Sequence, residues 1–270
     1  MAILPEFELP SDPNKTVRLR EATVSDAIDF SEVRRECEEE ATTLFLERLQ
    51  EKDKYTDPRL WTMEDRRFAL FWYNLHITKN TDFPLEFECE ACTTDPDKPV
   101  RHTVFVKYED IMNEYTPIEG QPVRDVVHDG HAILVHPIIG KDAELLEKSR
   151  LNIMIKEKTG GNASKERTQL MLLELLCRID IVGLAPEATP EERRPEVEKY
   201  LTGMKISEFQ EFQPKLIEAV RSLHHGLRSI FVDGEIKMES PLVYCPEDKD
   251  KARGIRLHYP FRAFQYIPVL

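Results

Sequence analysis

The sequence has no long apolar run. Its longest uncharged apolar stretch falls far short of the roughly 18–20 residues that a membrane-spanning helix needs. Its first residues, Met1-Ala2-Ile3-Leu4-Pro5-Glu6, lack the basic segment followed by an apolar segment that marks a secretory signal. We therefore expect a protein with no membrane contact that is made in, and stays in, a cytosol.

Basic residues are also in short supply. Lys and Arg total 37 against 50 Asp and Glu, which gives a net charge of −13. A nucleic-acid backbone is bound by clustered Lys and Arg, and the pairs Arg66-Arg67 and Arg193-Arg194 are short and lie beside acids. We expect no nucleic-acid partner.

Cysteine is sparse and odd in number. Of the five cysteines only Cys89 and Cys92 lie close together, and a secreted disulfide-rich protein of this length would carry more. Free thiols in a reducing compartment are expected.

Catalytic signatures are missing as well. The ten glycines form neither a phosphate-binding loop nor a dinucleotide fingerprint, and there is no Gly-x-Ser-x-Gly nucleophile elbow. No pair of carboxylates stands out as a general acid and base. The sequence therefore favours a non-enzymatic protein.

What is present predicts a globular α+β fold, with helices packed around small antiparallel β-hairpins, one of them ribbon-like. Apolar residues make up 41% of the chain, enough for a sizeable core. We predict one helix from Thr23 to about Leu49, an aromatic-rich helix over 66–77, and a hairpin whose strands are 85–89 and 102–108. Residues 110–131 are predicted to be irregular.

The flexible segment around Gly160-Gly161 suggests two parts. Residues 1–157 would form an N-terminal subdomain with an arm, helices and the cysteine hairpin. Residues 165–270 would form a helical subdomain with a C-terminal hairpin and arm, although a single domain is an alternative.

The Cys-x-x-Cys pair, Cys89 and Cys92, has the spacing that places two thiolates on one zinc ion at the end of a strand. A closed zinc site needs two more ligands, and the sequence does not assign them. We expect no cofactor and a hairpin that keeps its shape without metal. A zinc ribbon completed from elsewhere and a redox dithiol are the alternatives.

A weak internal echo accompanies this hairpin. Ten residues separate Cys92 from His102, and ten separate Cys245 from Ile255, each time across a charged turn after a helix. A second candidate cluster consists of His128, His131 and His136, which could ligate a metal in an enzyme. Since Asp129-Gly130 is a strong turn signal, solvated turn histidines are the preferred interpretation.

Both ends of the chain carry apolar residues interrupted by proline. Such arms either pack on their own domain or dock into a neighbour, as strand-adding and groove-binding segments do. The candidate partner-binding residues are Ile3, Leu4, Phe7, Leu9, Phe264, Tyr266, Ile267 and Leu270.

The order of these parts resembles the T4-like bacteriophage baseplate family, which includes hub subunits and hub-assembly proteins of contractile tails. The resemblance is carried by the arm and strand (Leu9-Pro10, Thr16 to Arg20), the helix opening Glu64-Asp65-Arg66-Arg67-Phe68, the Cys-x-x-Cys hairpin, and the C-terminal His225-Gly226-Leu227 and Pro260-Phe261-Arg262-Ala263-Phe264. It covers most of the chain as a layout, and its second hairpin lacks a paired cysteine.

The resemblance implies a structural or assembly protein without catalytic residues. Its partners would be other phage tail or baseplate proteins, and it would lie in the host cytoplasm during assembly and then in the virion tail. A zinc-ribbon module of a regulatory complex is the main alternative, and a metal-dependent enzyme is the third.

Overall fold

A computed structural model describes residues 4–78, 82–95, 97–184, 189–232, 235–247 and 254–269. It confirms the α+β class, with 45% helix and 23% strand in small antiparallel sheets. The helices are α1 Val24–Ser31, α2 Glu38–Leu49, α3 Met63–Ile77, α4 Tyr108–Met112, α5 Gly140–Lys158, α6 Ser164–Leu176, α7 Pro190–Gly203 and α8 Ile206–Ser222. None of the described helices is both long enough and apolar enough to cross a bilayer.

The strands form five small antiparallel sheets in the described part of the chain. The strands are β1 Phe7–Leu9, β2 Asp12–Val17, β3 Asp82–Glu88, β4 Arg101–Lys107, β5 Arg124–His128, β6 His131–Val135, β7 Ile179–Ile181, β8 Ser229–Val232, β9 Glu235–Glu239, β10 Val243–Tyr244, β11 Gly254–Ile255 and β12 His258–Pro260. Three of the sheets are hairpins, which pair β1 with β2, β3 with β4 and β10 with β11. The other two are three-stranded, in the orders β5-β6-β7 and β12-β9-β8.

The predicted single helix from Thr23 to Leu49 is wrong, because residues 32–37 separate α1 from α2. The break brings the rings of Phe30 and Phe45 to 5.5 Å from each other. In one straight helix these two residues would stand about 22 Å apart along the axis. Core packing of both aromatic residues therefore overrides the local helical pattern.

Two large apolar cores draw on both halves of the sequence. The first surrounds α3 and includes Val17, Phe71 and Tyr73 together with the late residues Met238 and Tyr259. The second joins Ile133 of β6 to Phe212 of α8. The predicted boundary near Gly160 therefore does not separate two cores.

A buried arginine fixes how α5 begins. Arg66 of α3 is 1% exposed and donates from Nη1 to Thr43 Oγ1 (2.9 Å) and to the carbonyl oxygen of Pro58 (3.1 Å). Gly140, the first residue of α5, lies against this guanidinium. A Cβ there would collide with Arg66 Nη1 and lie 2.7 Å from the Pro58 oxygen, so the position requires glycine.

We expect Gly140→Ala to destabilise the protein by about 3 kcal/mol, because the new methyl group overpacks the site and displaces Arg66 from its acceptors. Urea unfolding measures this change. Gly203→Ala is the matched control, since a Cβ there meets nothing within 4 Å, and it should be neutral. Equal midpoints for the two variants would contradict the packing described here.

The start of α2 is capped from a distant helix. Its N-cap residue, Cys37, makes no side-chain cap hydrogen bond. Instead the backbone amide of Glu39 donates to both carboxylate oxygens of Glu147 in α5, at 3.0 and 3.2 Å. Burial nevertheless raises the pKa of Glu147 from 4.5 to about 7.

The raised pKa of Glu147 predicts the direction in which the stability of the protein changes with pH. The folded state holds the Glu147 proton more tightly than the unfolded state, so the associated stability is complete below about pH 4.5 and is lost as the pH rises through about 7. Relative to Glu147→Gln, the wild type should lose stability between pH 5 and pH 8. Urea midpoints of both proteins across this range test it, and parallel curves would refute it.

Candidate metal centre

The Cys-x-x-Cys pair closes the tip of the β3–β4 hairpin. Cys89 follows the last residue of β3, and its amide donates to the carbonyl oxygen of Val100 on the other side of the hairpin (2.9 Å). The chain then turns tightly, because the amide and hydroxyl of Thr93 both donate to the carbonyl oxygen of Cys89, at 3.0 and 2.7 Å. This turn brings the thiol of Cys92 to the same side as that of Cys89.

Two further candidate ligands lie close to this cysteine pair. His102 lies on β4 opposite Phe87. Cys245 directly follows β10, so it comes from the second hairpin, 143 residues beyond His102. One donor atom from each of Cys89, Cys92, His102 and Cys245 lies within 4.8 Å of all the others. In the described part of the chain this is the only group of three or more such donors.

The individual distances fit a tetrahedral zinc ion. Cys92 Sγ lies 3.4 Å from Cys245 Sγ, which in turn lies 3.6 Å from His102 Nε2. Zinc–sulphur bonds of about 2.3 Å and zinc–nitrogen bonds of about 2.0 Å imply ligand separations of roughly 3.8 and 3.5 Å in a tetrahedron. The sulphur separation is far too long for a disulfide, whose bond is about 2.05 Å, and all five cysteines are free.

The thiols differ in acidity. Burial opposes ionisation of Cys89, but hydrogen bonds from the Cys92 amide and from the thiols of Cys245 and Cys92 lower its pKa. The hydrogen bond with Cys245, together with burial, raises the pKa of Cys92 to about 12. The pKa values of these two neighbouring thiols are therefore shifted in opposite directions. A divalent cation would remove this penalty by compensating the second negative charge.

The donor set identifies the type of site. Three thiolates and one imidazole are a soft donor set that suits zinc, and four protein ligands fill a tetrahedron. Since no position is left for water or substrate, the arrangement supports a structural centre and offers no catalytic one. The sequence motif supplied Cys89 and Cys92. The structure adds His102 and Cys245. In the internal echo Cys245 corresponds to Cys92, and His102 corresponds to Ile255, so the echo did not pair these two ligands.

The histidine cluster does not assemble. His128 is buried at 6% exposure with its ring against Phe212, while His131 stacks edge-on with Tyr200. Asp129 and Gly130 take positive φ angles of 46° and 73°, as the predicted turn requires. The Nδ1 atom of His136 bonds to the carbonyl oxygen of Pro137 instead. These three histidines do not gather around a common point among the described residues.

The arms pack on their own domain. Leu4, Phe7 and Leu9 at one end and Tyr266 and Ile267 at the other are all buried in the core around α3, and Phe264 is partly buried against it. Ile3 and Leu270 lie outside the described residues. The apolar character of the buried arm residues is explained by intramolecular packing, and these side chains present no exposed docking surface.

No family model matches the sequence, and neither a curated protein nor a solved structure matches the chain significantly.

We expect the purified chain to carry one zinc ion. Elemental analysis should find about one equivalent in the wild type and less than about a tenth in Cys245→Ser or Cys92→Ser, because a site that loses one of four ligands binds far more weakly. Cys177→Ala, which alters a buried free thiol outside the cluster, is the matched control and should keep its zinc. Zinc retention in Cys245→Ser would refute the four-ligand site.

Proposed function

We propose that this chain is a non-enzymatic assembly protein that acts through protein contacts and is held in its binding shape by a structural zinc ion. The observation that carries the proposal is the closed set of four ligands, Cys89, Cys92, His102 and Cys245. A closed site stabilises a fold and performs no chemistry on a substrate.

The zinc ion would link two parts of the chain that are distant in sequence. It joins the β3–β4 hairpin to the β10–β11 hairpin, whose two short strands make only two residue pairs, Val243 with Ile255 and Tyr244 with Gly254. So short a hairpin is marginal by itself. Because the metal bonds form only in the folded protein, their free energy contributes directly to holding this hairpin in place.

Within this class we propose the role of a baseplate or hub protein of a contractile phage tail. The support for this narrower role is the layout resemblance. Its partners would be other tail or baseplate proteins, met in the host cytoplasm during assembly. The zinc-ribbon module of a regulatory complex is the second candidate, and the completed ligand set favours it, since such modules also use closed thiolate sites.

The experiment that tests the role is affinity capture from cells that produce the whole source proteome, with wild type and Cys245→Ser as paired baits. Capture of tail-tube, tape-measure or baseplate proteins by the wild type, reduced at least about fivefold with Cys245→Ser, is the expected result. Capture of transcription or metabolic proteins would contradict the phage role and favour the regulatory module. Capture that is equal with both baits would contradict the zinc dependence.

A further inference from the structure

A cleft of about 1460 Å³ has many charged side chains in its lining. Its walls come from the beginnings of α2 and α3, from α5, from the end of α8 and from β8 and β9. Eight arginines, seven glutamates and no lysine line it. The cleft exceeds the roughly 300–1,000 Å³ that small-molecule pockets occupy. Its size therefore suits a segment of polypeptide.

Arg67 is the most unusual residue of the cleft. It is 8% exposed, yet within the described residues its guanidinium donates no hydrogen bond. The one carboxylate near it in those residues is Glu64, whose Oε1 lies 3.8 Å from Nη1 and so beyond hydrogen-bond distance. None of its nitrogen atoms is both fully buried and unpaired. The guanidinium donors therefore reach the solvent of the cleft, where a ligand can replace water.

Further polar groups without hydrogen-bond partners lie beside Arg67. The Oε2 atom of Glu64 is buried and has no hydrogen-bond partner in the part of the chain described. Arg178, a quarter exposed, lies 3.8 Å from Glu174 and its charge also acts on Glu64, but its side chain donates no hydrogen bond within the described residues. The floor of the cleft thus offers free donors within one small region.

The acids of the cleft are largely engaged inside the protein. Glu39 pairs with Arg66 at 3.2 Å, Glu239 pairs with Arg228 at 3.4 Å, and Glu147 caps α2. By contrast, the exposed Arg150 and Arg221 have no ion pair among the described residues. The side chains of the cleft that remain free to bind a ligand are therefore mainly cationic, although the protein as a whole carries a charge of −13.

We propose that this cleft binds an acidic segment of a partner protein. Carboxylates of the segment accept the free hydrogen bonds of Arg67 and Arg178, because a guanidinium matches a carboxylate with two parallel bonds. The free oxygen of Glu64 is too deeply buried to contact the segment. The seven glutamates of the lining disfavour the concentrated negative charge of a phosphate group more than the spaced carboxylates of a polypeptide. The cleft does not include the zinc ligands. An experiment can therefore contradict the zinc site without contradicting the cleft proposal, and the reverse also holds.

The test is fluorescence anisotropy with a labelled short polyglutamate peptide at low salt, with tripolyphosphate as the competing probe. The wild type should bind the peptide saturably. Arg67→Met should weaken binding at least about tenfold, since hydrogen bonds to charged groups are worth roughly 1.5–3 kcal/mol, and Arg67→Lys should lie between. Arg167→Met, on α6 outside the cleft and 66% exposed, should stay within about twofold of wild type.

Stability separates a ligand-binding role from a structural one. Arg67 compensates the charge of the buried Glu64 through their 3.8 Å ion pair, so Arg67→Met should also lower the unfolding midpoint. Arg67→Lys keeps that charge and should unfold at the wild-type midpoint while it binds the peptide more weakly, whereas a purely structural role would leave its peptide binding unchanged. Absence of saturable peptide binding would overturn the proposal. So would peptide binding that Arg67→Met and Arg67→Lys leave unchanged, and so would binding of tripolyphosphate without binding of the peptide.

Discussion

The convergence of Cys89, Cys92, His102 and Cys245 is the constraint on which the account of this molecule depends. Two hairpins that are remote in sequence place three sulphur atoms and one ring nitrogen at separations that a tetrahedral zinc ion would bridge. Without a cation, the thiols of Cys89 and Cys92 would lie together with pKa values shifted in opposite directions. The two-pair β10–β11 hairpin would then be held mainly by Val243, which packs in the core around α3. A bound zinc ion would add a second anchor for this short hairpin.

The start of α3 is fixed by hydrogen bonds. Asp65, fully buried, accepts from the amide (2.8 Å) and hydroxyl (2.5 Å) of Ser11 and from the amide of Thr62. Thr62 Oγ1 lies 2.8 Å from Nε2 of the buried His225. The network ties the N-terminal strands and the turn after α8 to one helix start. A helix held at this end, with the aromatic core along its length, is a rigid support for both the hairpins and the arginine cleft.

Local patterns in the sequence predicted several of these elements. The apolar run over 66–77 predicted α3, which the structure begins slightly earlier, at Met63, and alternation predicted β3 and β4. The break between α1 and α2 was not predictable, because it depends on the meeting of Phe30 with Phe45. Strand β5 was missed, since Arg124–His128 becomes a strand only by pairing with β6.

The candidate metal site also has one part that the local sequence predicted and one part that it did not. The spacing of Cys89 and Cys92 is a local signal, and it predicted half of the ligand set. His102 and Cys245 join it through β-pairing and through packing of residues more than 140 positions apart, which no local pattern encodes. The burial of Arg67 without a hydrogen-bond partner is likewise invisible in the sequence, where Arg66-Arg67 is only a short basic pair.

Zinc K-edge X-ray absorption of the purified chain is the sharpest test of the four-ligand site, because it counts the atoms bound to the metal. We expect three sulphur neighbours at about 2.3 Å and one nitrogen neighbour at about 2.0 Å. A shell of oxygen and nitrogen atoms without sulphur, or a shell with a bound water in place of a protein ligand, would contradict it.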